Sequence, residues 1–212
     1  MGPKERLSPD GSPPRCADCG SLERHRAYRT AFQALDPARF SALSALQFSP
    51  DKVVEPDWFV AHEISEFGTE TELDLQAIER PDDCYDVIVV NHVLEHVEDD
   101  IAAVAELHRV VREEGFVFLS VPDPARVEAT REYGRAREDK HGHWRIYGPD
   151  VVDRFARAAP EGLVVELHPV DPVTLAPDTA FVLTQSPAVA NDTVDRLAAA
   201  GIPSRLIRSQ AA

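Results

Sequence analysis

"YDVIVVNHV", residues 85–93, decides the fold. Its centre, Val87, Ile88, Val89 and Val90, is an unbroken apolar run bounded by polar residues. A strand with one wet face alternates apolar and polar, whereas a strand buried on both faces does not. The stretch therefore reads as the central strand of a parallel sheet with helices on both sides.

The neighbouring segments fit that reading. Residues 98–113, "EDDIAAVAELHRVVRE", put Ile101, Val104, Ala105, Leu107, His108 and Val111 on one side, with acids first and Arg109 and Arg112 last, as the helix dipole favours. Gly115 is expected to close this helix, and "FVFLSVP", residues 116–122, is a second buried strand. Upstream, "SALQFS" (44–49) and "DWFVAHEIS" (57–65) read as strands, with "ELDLQAI" (72–78) as a short third. The link between the first two is cramped, because Pro56 limits any helix there to about two turns. A helix is expected from Leu22 to Leu35, another over 149–160, closing strands over 163–170 and 180–186, and an amphipathic segment over 191–202. The order strand, helix, strand makes the class α/β with a mainly parallel sheet.

Composition narrows the partners. The 212 residues carry a formal charge of −15, which leaves no basic face for a nucleic acid or an anionic membrane and favours a small or cationic ligand. No apolar stretch reaches membrane-spanning length and the first 15 residues lack a signal-peptide core, so a cytoplasmic location is expected, as monomer or homodimer. Three cysteines are too few for a disulfide framework. Cys16 and Cys19 in "CADCG" supply two of the four ligands of a tetrahedral zinc, with His25 as a third candidate; a structural zinc here is a minor alternative.

Ligands of open parallel sheets bind at the carboxyl ends of strands. Those ends offer Phe48, Ser49 and Pro50, then Glu63 and Ile64, then Asp74 and Leu75, then Asn91 and His92. A carboxylate such as Glu63 can accept both hydroxyls of a ribose, and Asp74 an exocyclic amine; the alternative is that both are solvated acids. Downstream, "KHGHWRIYG" (140–148) sets His141 and His143 beside Trp144 and Tyr147. An imidazole that titrates near neutrality suits proton removal from an acceptor. His141, His143 and Tyr147 are thus the candidate catalytic residues, with an idle loop as the alternative. His96 sits one turn past His92; local capping or packing is expected of it and of Glu95.

The segment from "DLQAIERPDDCYD" through "NHVLEHV" to "LHRVVREEG" resembles class I S-adenosylmethionine-dependent methyltransferases over about residues 44–186. "CADCGSLERHR", "LQFSPDK" and "HGHWRIYG" resemble a narrower, glycine-poor branch of that family. The resemblance implies a Rossmann-like, doubly wound fold with an antiparallel C-terminal strand. Residues 1–21 would be a flexible segment with the C-x-x-C pair, 22–190 the methyltransferase-like domain, and 191–212 a C-terminal helix and tail. It further implies S-adenosylmethionine as cofactor, held by Phe48 and Ser49, by Glu63 and Ile64 at the ribose, by Asp74 and Leu75 at the adenine, and by Asn91 and His92 at the methionine. The acceptor would be an oxygen or nitrogen of a small metabolite, with the polar segment 123–146 as a lid. Two alternatives are a catalytically silent binding protein on the same fold and, less favoured, a zinc-dependent hydrolase.

Overall fold

The computed structural model describes residues 11, 14–35 and 37–208. Much of the expected loose N-terminal segment, residues 1–10, 12 and 13, lies outside them. The first elements among the described residues are α1 (Glu23–Ala34) and the short α2 (Pro37–Phe40). Then come β1 (Ser44–Phe48), β2 (Ala61–Ser65) and β3 (Tyr85–Asn91). α3 (Asp100–Val110) leads into β4 (Val111–Ser120). β5 (Arg131–Arg137) and β6 (His143–Ile146) form a separate two-stranded sheet. α4 (Val151–Ala158), β7 (Leu163–Leu167), β8 (Ala180–Thr184), α5 (Pro187–Ala199) and β9 (Ser204–Arg208) follow.

The main sheet has seven strands in the order β2-β1-β3-β4-β8-β7-β9. β2, β1, β3 and β4 pair in parallel, while β8 runs against β4 and β7, and β9 against β7. This is the expected α/β, mainly parallel sheet, with two reversed strands where the sequence predicts one. β9 is the addition, and the expected boundary at residue 190 falls inside α5. The apolar run of β3 is buried on both faces as predicted. Val87 and Val89 pack with Tyr28, Ala31 and Phe32 of α1 and with α5, and Ile88 and Val90 pack with α3 and α4. No helix among the described residues is long and apolar enough to cross a membrane.

Two local expectations are corrected, and the cramped link is as expected. Residues 72–78 form turns instead of a strand, because side chains take their backbone donors: Ser65 Oγ accepts from Leu73 N, Asp74 Oδ1 from Gln76 N, and Glu106 Oε2 from Ile78 N. Gly115 lies within β4, not at a helix end, and a Cβ there would stand 2.6 Å from the Asp86 carbonyl oxygen. Close approach of β3, rather than a left-handed turn, requires glycine. Between β1 and β2 there is only a single helical turn at Pro56–Trp58, so the sheet face is covered instead by α1, whose Phe32 lies against Phe40, Trp58, Phe59, Phe116 and Phe118.

The β5–β6 hairpin is fastened by one buried arginine. Arg145 is 2% exposed; its guanidinium donates to the carbonyls of Val97 (2.6 Å) and Glu98 (2.5 Å), and to both carboxylate oxygens of Glu132 at 3.0 Å. Asp100, 3% exposed, accepts from the Tyr147 hydroxyl at 2.9 Å and from Arg154 at 2.6 and 2.7 Å. Burial alone would raise the Asp100 carboxyl, but Arg154, Arg145 and Tyr147 together hold it below its ordinary value.

Two stability predictions follow from these buried groups. Removing the charge of Asp100 while keeping its shape, as Asp100→Asn, leaves Arg145 and Arg154 with only the exposed Glu132 as a shared anion and is expected to cost about 3 kcal/mol in urea unfolding; a loss below about 1 kcal/mol contradicts the network's role. Burial also pushes the His108 imidazole down to about 4, against about 6.5 in an unfolded chain. The unfolded chain therefore binds the proton first, so this contribution is complete above about pH 6.5 and falls as pH drops toward 4. At pH 5 the loss is on the order of 2 kcal/mol, and His108→Gln should flatten the melting profile between pH 7 and 5.

Candidate active site

The chain leaves β1 for β2 on one side and returns as β3 on the other, so strand order reverses between β1 and β3. At their carboxyl ends the backbone turns sharply. Ser49 and His92 both adopt left-handed conformations, with φ of 60° and 55°, directly after β1 and β3. Ser49 N donates to Ser65 O at 2.8 Å and His92 N to Ser120 O at 2.9 Å, which pins each bend to its neighbouring strand. Side chains at such angles cost about 1–2 kcal/mol each. Strain of that kind concentrates at functional sites.

Asp51 ties these ends together. Its carboxylate accepts from Val53 N (2.8 Å), Gln47 Nε2 (3.1 Å) and Asn91 Nδ2 (2.9 Å), and Asn91 in turn accepts from Ser120 Oγ at 2.9 Å. Burial raises the Asp51 carboxyl despite these bonds. The polar chain Asp51, Asn91, Ser120 thus links the ends of β1, β3 and β4.

Beside it stands a group of imidazoles around Glu95. Glu95 is 1% exposed; its Oε1 lies 3.5 Å from His92 Nδ1, and its Oε2 has no hydrogen-bond partner among the described residues. His92 Nε2 is buried and equally unpartnered. The His96 and His143 rings meet edge to face at 4.7 Å between centroids, and His141 lies 6.3 Å from His143. Tyr28 of α1 lies 6.4 Å from His92 and donates to Thr179 O. Burial lowers the pKa of His143. His25, near His92, is pushed down to about 4, by burial first and then by the positive charge of Arg24.

The expected site residues divide. Ser49, Asn91 and His92 lie at the carboxyl ends, and His143 and His141 close on the turn carrying Glu95 and His96. Phe48 and Leu75 are buried in the core, and Ile64 is half-buried in β2. Glu63 does not close its strand: β2 runs on to Ser65, and the Glu63 carboxylate is taken by Arg80 and by the Tyr85 hydroxyl at 2.5 Å. Those bonds outweigh burial and hold the Glu63 carboxyl below its ordinary value. Asp74 is exposed in a turn and caps its own backbone, so the two acids expected to share a cleft do not meet. Tyr147 is fully buried on Asp100 and out of reach of any ligand; burial raises its hydroxyl above its ordinary value. Its part, with Arg145, is to hold the hairpin. Cys16, Cys19 and Cys84 are free thiols; Cys19 Sγ contacts Ser21 Oγ at 3.1 Å, and no third ligand joins Cys16 and Cys19 among the described residues.

Asp51, Glu95, Tyr28 and Ser120 were not expected. For Glu95 the signal was the acid in "HVLEH", three residues after one histidine and directly before another. Asp51 carried only the mark of a turn former.

S-adenosylmethionine carries no phosphate, so the glycine bend that lets a pyrophosphate approach the backbone is not needed. The unpartnered His92 Nε2 and Glu95 Oε2, with the bends at Ser49 and His92, fit a polar ligand at the methionine end. Directly after β2, the Glu66 carboxylate is exposed and makes no hydrogen bond or ion pair among the described residues.

A family model described as "Methyltransferase domain" matches residues 22–160, more than half of the chain. A search of curated proteins finds no match. Among solved structures, the 1,6-didemethyltoxoflavin-N1-methyltransferase of Burkholderia thailandensis superposes with a TM-score of 0.51 at 14% identity, over 75% of this chain and 78% of its own. An S-adenosylmethionine-dependent methyltransferase of Leishmania major gives 0.51 at 10% identity, over 76% and 71%. The chain belongs to the methyltransferase domain family, with the fold of the S-adenosylmethionine-dependent methyltransferases.

Proposed function

We propose that this chain transfers a methyl group from S-adenosylmethionine to an oxygen or nitrogen of a small metabolite held against the histidines around Glu95. The observation that carries the reading is the pair of buried, unpartnered polar atoms, His92 Nε2 and Glu95 Oε2, at the carboxyl end of the central strand. Buried polar atoms without partners are rare in a folded protein, and each costs about 1–3 kcal/mol until a ligand or water satisfies it. The Burkholderia neighbour, which binds 1,6-didemethyltoxoflavin and S-adenosylhomocysteine, lends the small acceptor by analogy. The net charge of −15 points the same way.

The donor supplies an electrophilic methyl carbon whose sulfur keeps the bonding pair when the methyl leaves. The chain's work is alignment. Asn91 and Asp51 set the end of β3 against that of β1, Ser49 offers its hydroxyl to the amino-acid end of the donor, and His92 lines the methionine side. His143, brought in by the hairpin, meets the acceptor's O–H or N–H, and His141 stands at the rim. Asp74, exposed, borders the adenine side, with Leu75 beneath it in the core. The ribose falls to Glu66, since Glu63 is engaged elsewhere.

Calorimetry with S-adenosylhomocysteine should give a Kd on the order of 10 μM, weakened at least tenfold in Asp51→Ala. Absence of heat would point to the silent relative and end the proposal. Tested side by side, Glu66→Gln should weaken binding while Glu63→Gln leaves it within about twofold; the reverse returns the ribose to Glu63. With labelled donor and a cell extract, methyl label should enter the small-molecule fraction and fall about a hundredfold in His143→Gln. Label in protein or nucleic acid instead refutes the small acceptor.

A further inference from the structure

We propose that Glu95, His96 and His143 form a binding site for a first-row divalent transition-metal ion. One ligand atom from each of the three lies within 4.8 Å of the others, the one such group among the described residues. Ligands at about 2.0–2.2 Å from an ion stand at most about 4.4 Å apart, so a small rotation of the two rings closes the set.

The chemistry of the set selects the ion. Two imidazole nitrogens and one carboxylate oxygen suit zinc, manganese, iron or cobalt, and are poor for magnesium or calcium, which take oxygen ligands. The carboxylate is the decisive member: Glu95 is 1% exposed, and its Oε2 has no partner among the described residues. A buried, unneutralised carboxylate oxygen is costly, and a bound cation removes that cost. Neither the His96 nor the His143 ring makes a hydrogen bond among the described residues, and what each ring meets is another imidazole.

Two features hold the ligands ready. Glu95 and His96 sit on one tight turn, Leu94–His96, whose following carbonyls at Val97 and Glu98 are clamped by Arg145. His143 is two residues before that same arginine, and Gly142, left-handed at φ 83°, makes the turn that brings His143 edge to face with His96. One side chain therefore fixes both halves of the site. Three protein ligands leave coordination positions open, the pattern of metal sites that engage a substrate rather than only brace a fold. An acceptor bearing an oxygen ligand would be drawn there. That last consequence rests on the methyl-transfer reading, whereas the site itself does not.

The full chain, freed of metal by chelation, should bind Zn2+ and Co2+ at one equivalent with a Kd in the micromolar range or below, raise its melting temperature, and with Co2+ show visible ligand-field bands. Mg2+ should do none of these. His96→Gln, at an exposed position, should weaken Co2+ binding at least fiftyfold without altering the metal-free melting temperature; Glu95→Gln, checked for folding by circular dichroism, should do the same. No binding, or binding unchanged in both variants, overturns the site. S-adenosylhomocysteine titrated separately keeps the readings apart. Its binding without metal binding overturns the cation site alone, and metal binding without it overturns methyl transfer alone.

Discussion

The insertion of the Arg145 guanidinium beneath the turn that follows β3 is the contact on which the Glu95–His96 turn and the β5–β6 hairpin depend. It satisfies carbonyls at Val97 and Glu98 that no helix or strand would otherwise serve, and it pairs with Glu132 across the hairpin. An arginine suits this place because its planar fork serves several acceptors at once, which a lysine cannot do. Tyr147 and Asp100 complete the anchor from the other side. The stretch "HWRIYG" thus divides its work along the chain: His143 meets the other imidazoles, while Arg145 and Tyr147 root the strand.

A second constraint acts at the sheet. Without a crossover helix between β1 and β2, the chain needs another way to end β1 and hold open the ground above it. Asp51 meets the need by accepting from Gln47, Val53 and Asn91, so that a side chain rather than a helix terminus organises the bend. The left-handed turns at Ser49 and His92 are the strained partners of that arrangement. The glycine-poor loop is therefore built differently from a phosphate-binding one, and is suited to a ligand whose near end is an amino acid.

The framework was legible because burial on both faces leaves an unmistakable pattern in Val87–Val90 and in the strand after Gly115. What escaped was decided by side chains at a distance. Residues 72–78 alternate as a strand does, yet their amides are taken by Ser65, Asp74 and Glu106, and two of those three lie outside the segment. Glu63 reads as a free acid until Arg80 and Tyr85 are placed beside it, and both come from later in the chain. Tyr147 is aromatic and close to two histidines in sequence, but it lies just past the end of β6, and its hydroxyl is drawn inward by Asp100 and the Leu94 carbonyl. β9 stayed hidden because "SRLIR" is short, charged and terminal; it is a strand only because β7 offers an edge.

The helix that covers the missing crossover, α1, is secured from far downstream. Arg26 forms a two-pronged pair with Asp171 at 2.8 and 2.6 Å, and Tyr28 donates to Thr179. Two of this helix's polar anchors thus come from beyond residue 170, so a fragment that stops short of them keeps the Phe32 packing but loses the Arg26 pair and the Tyr28 bond.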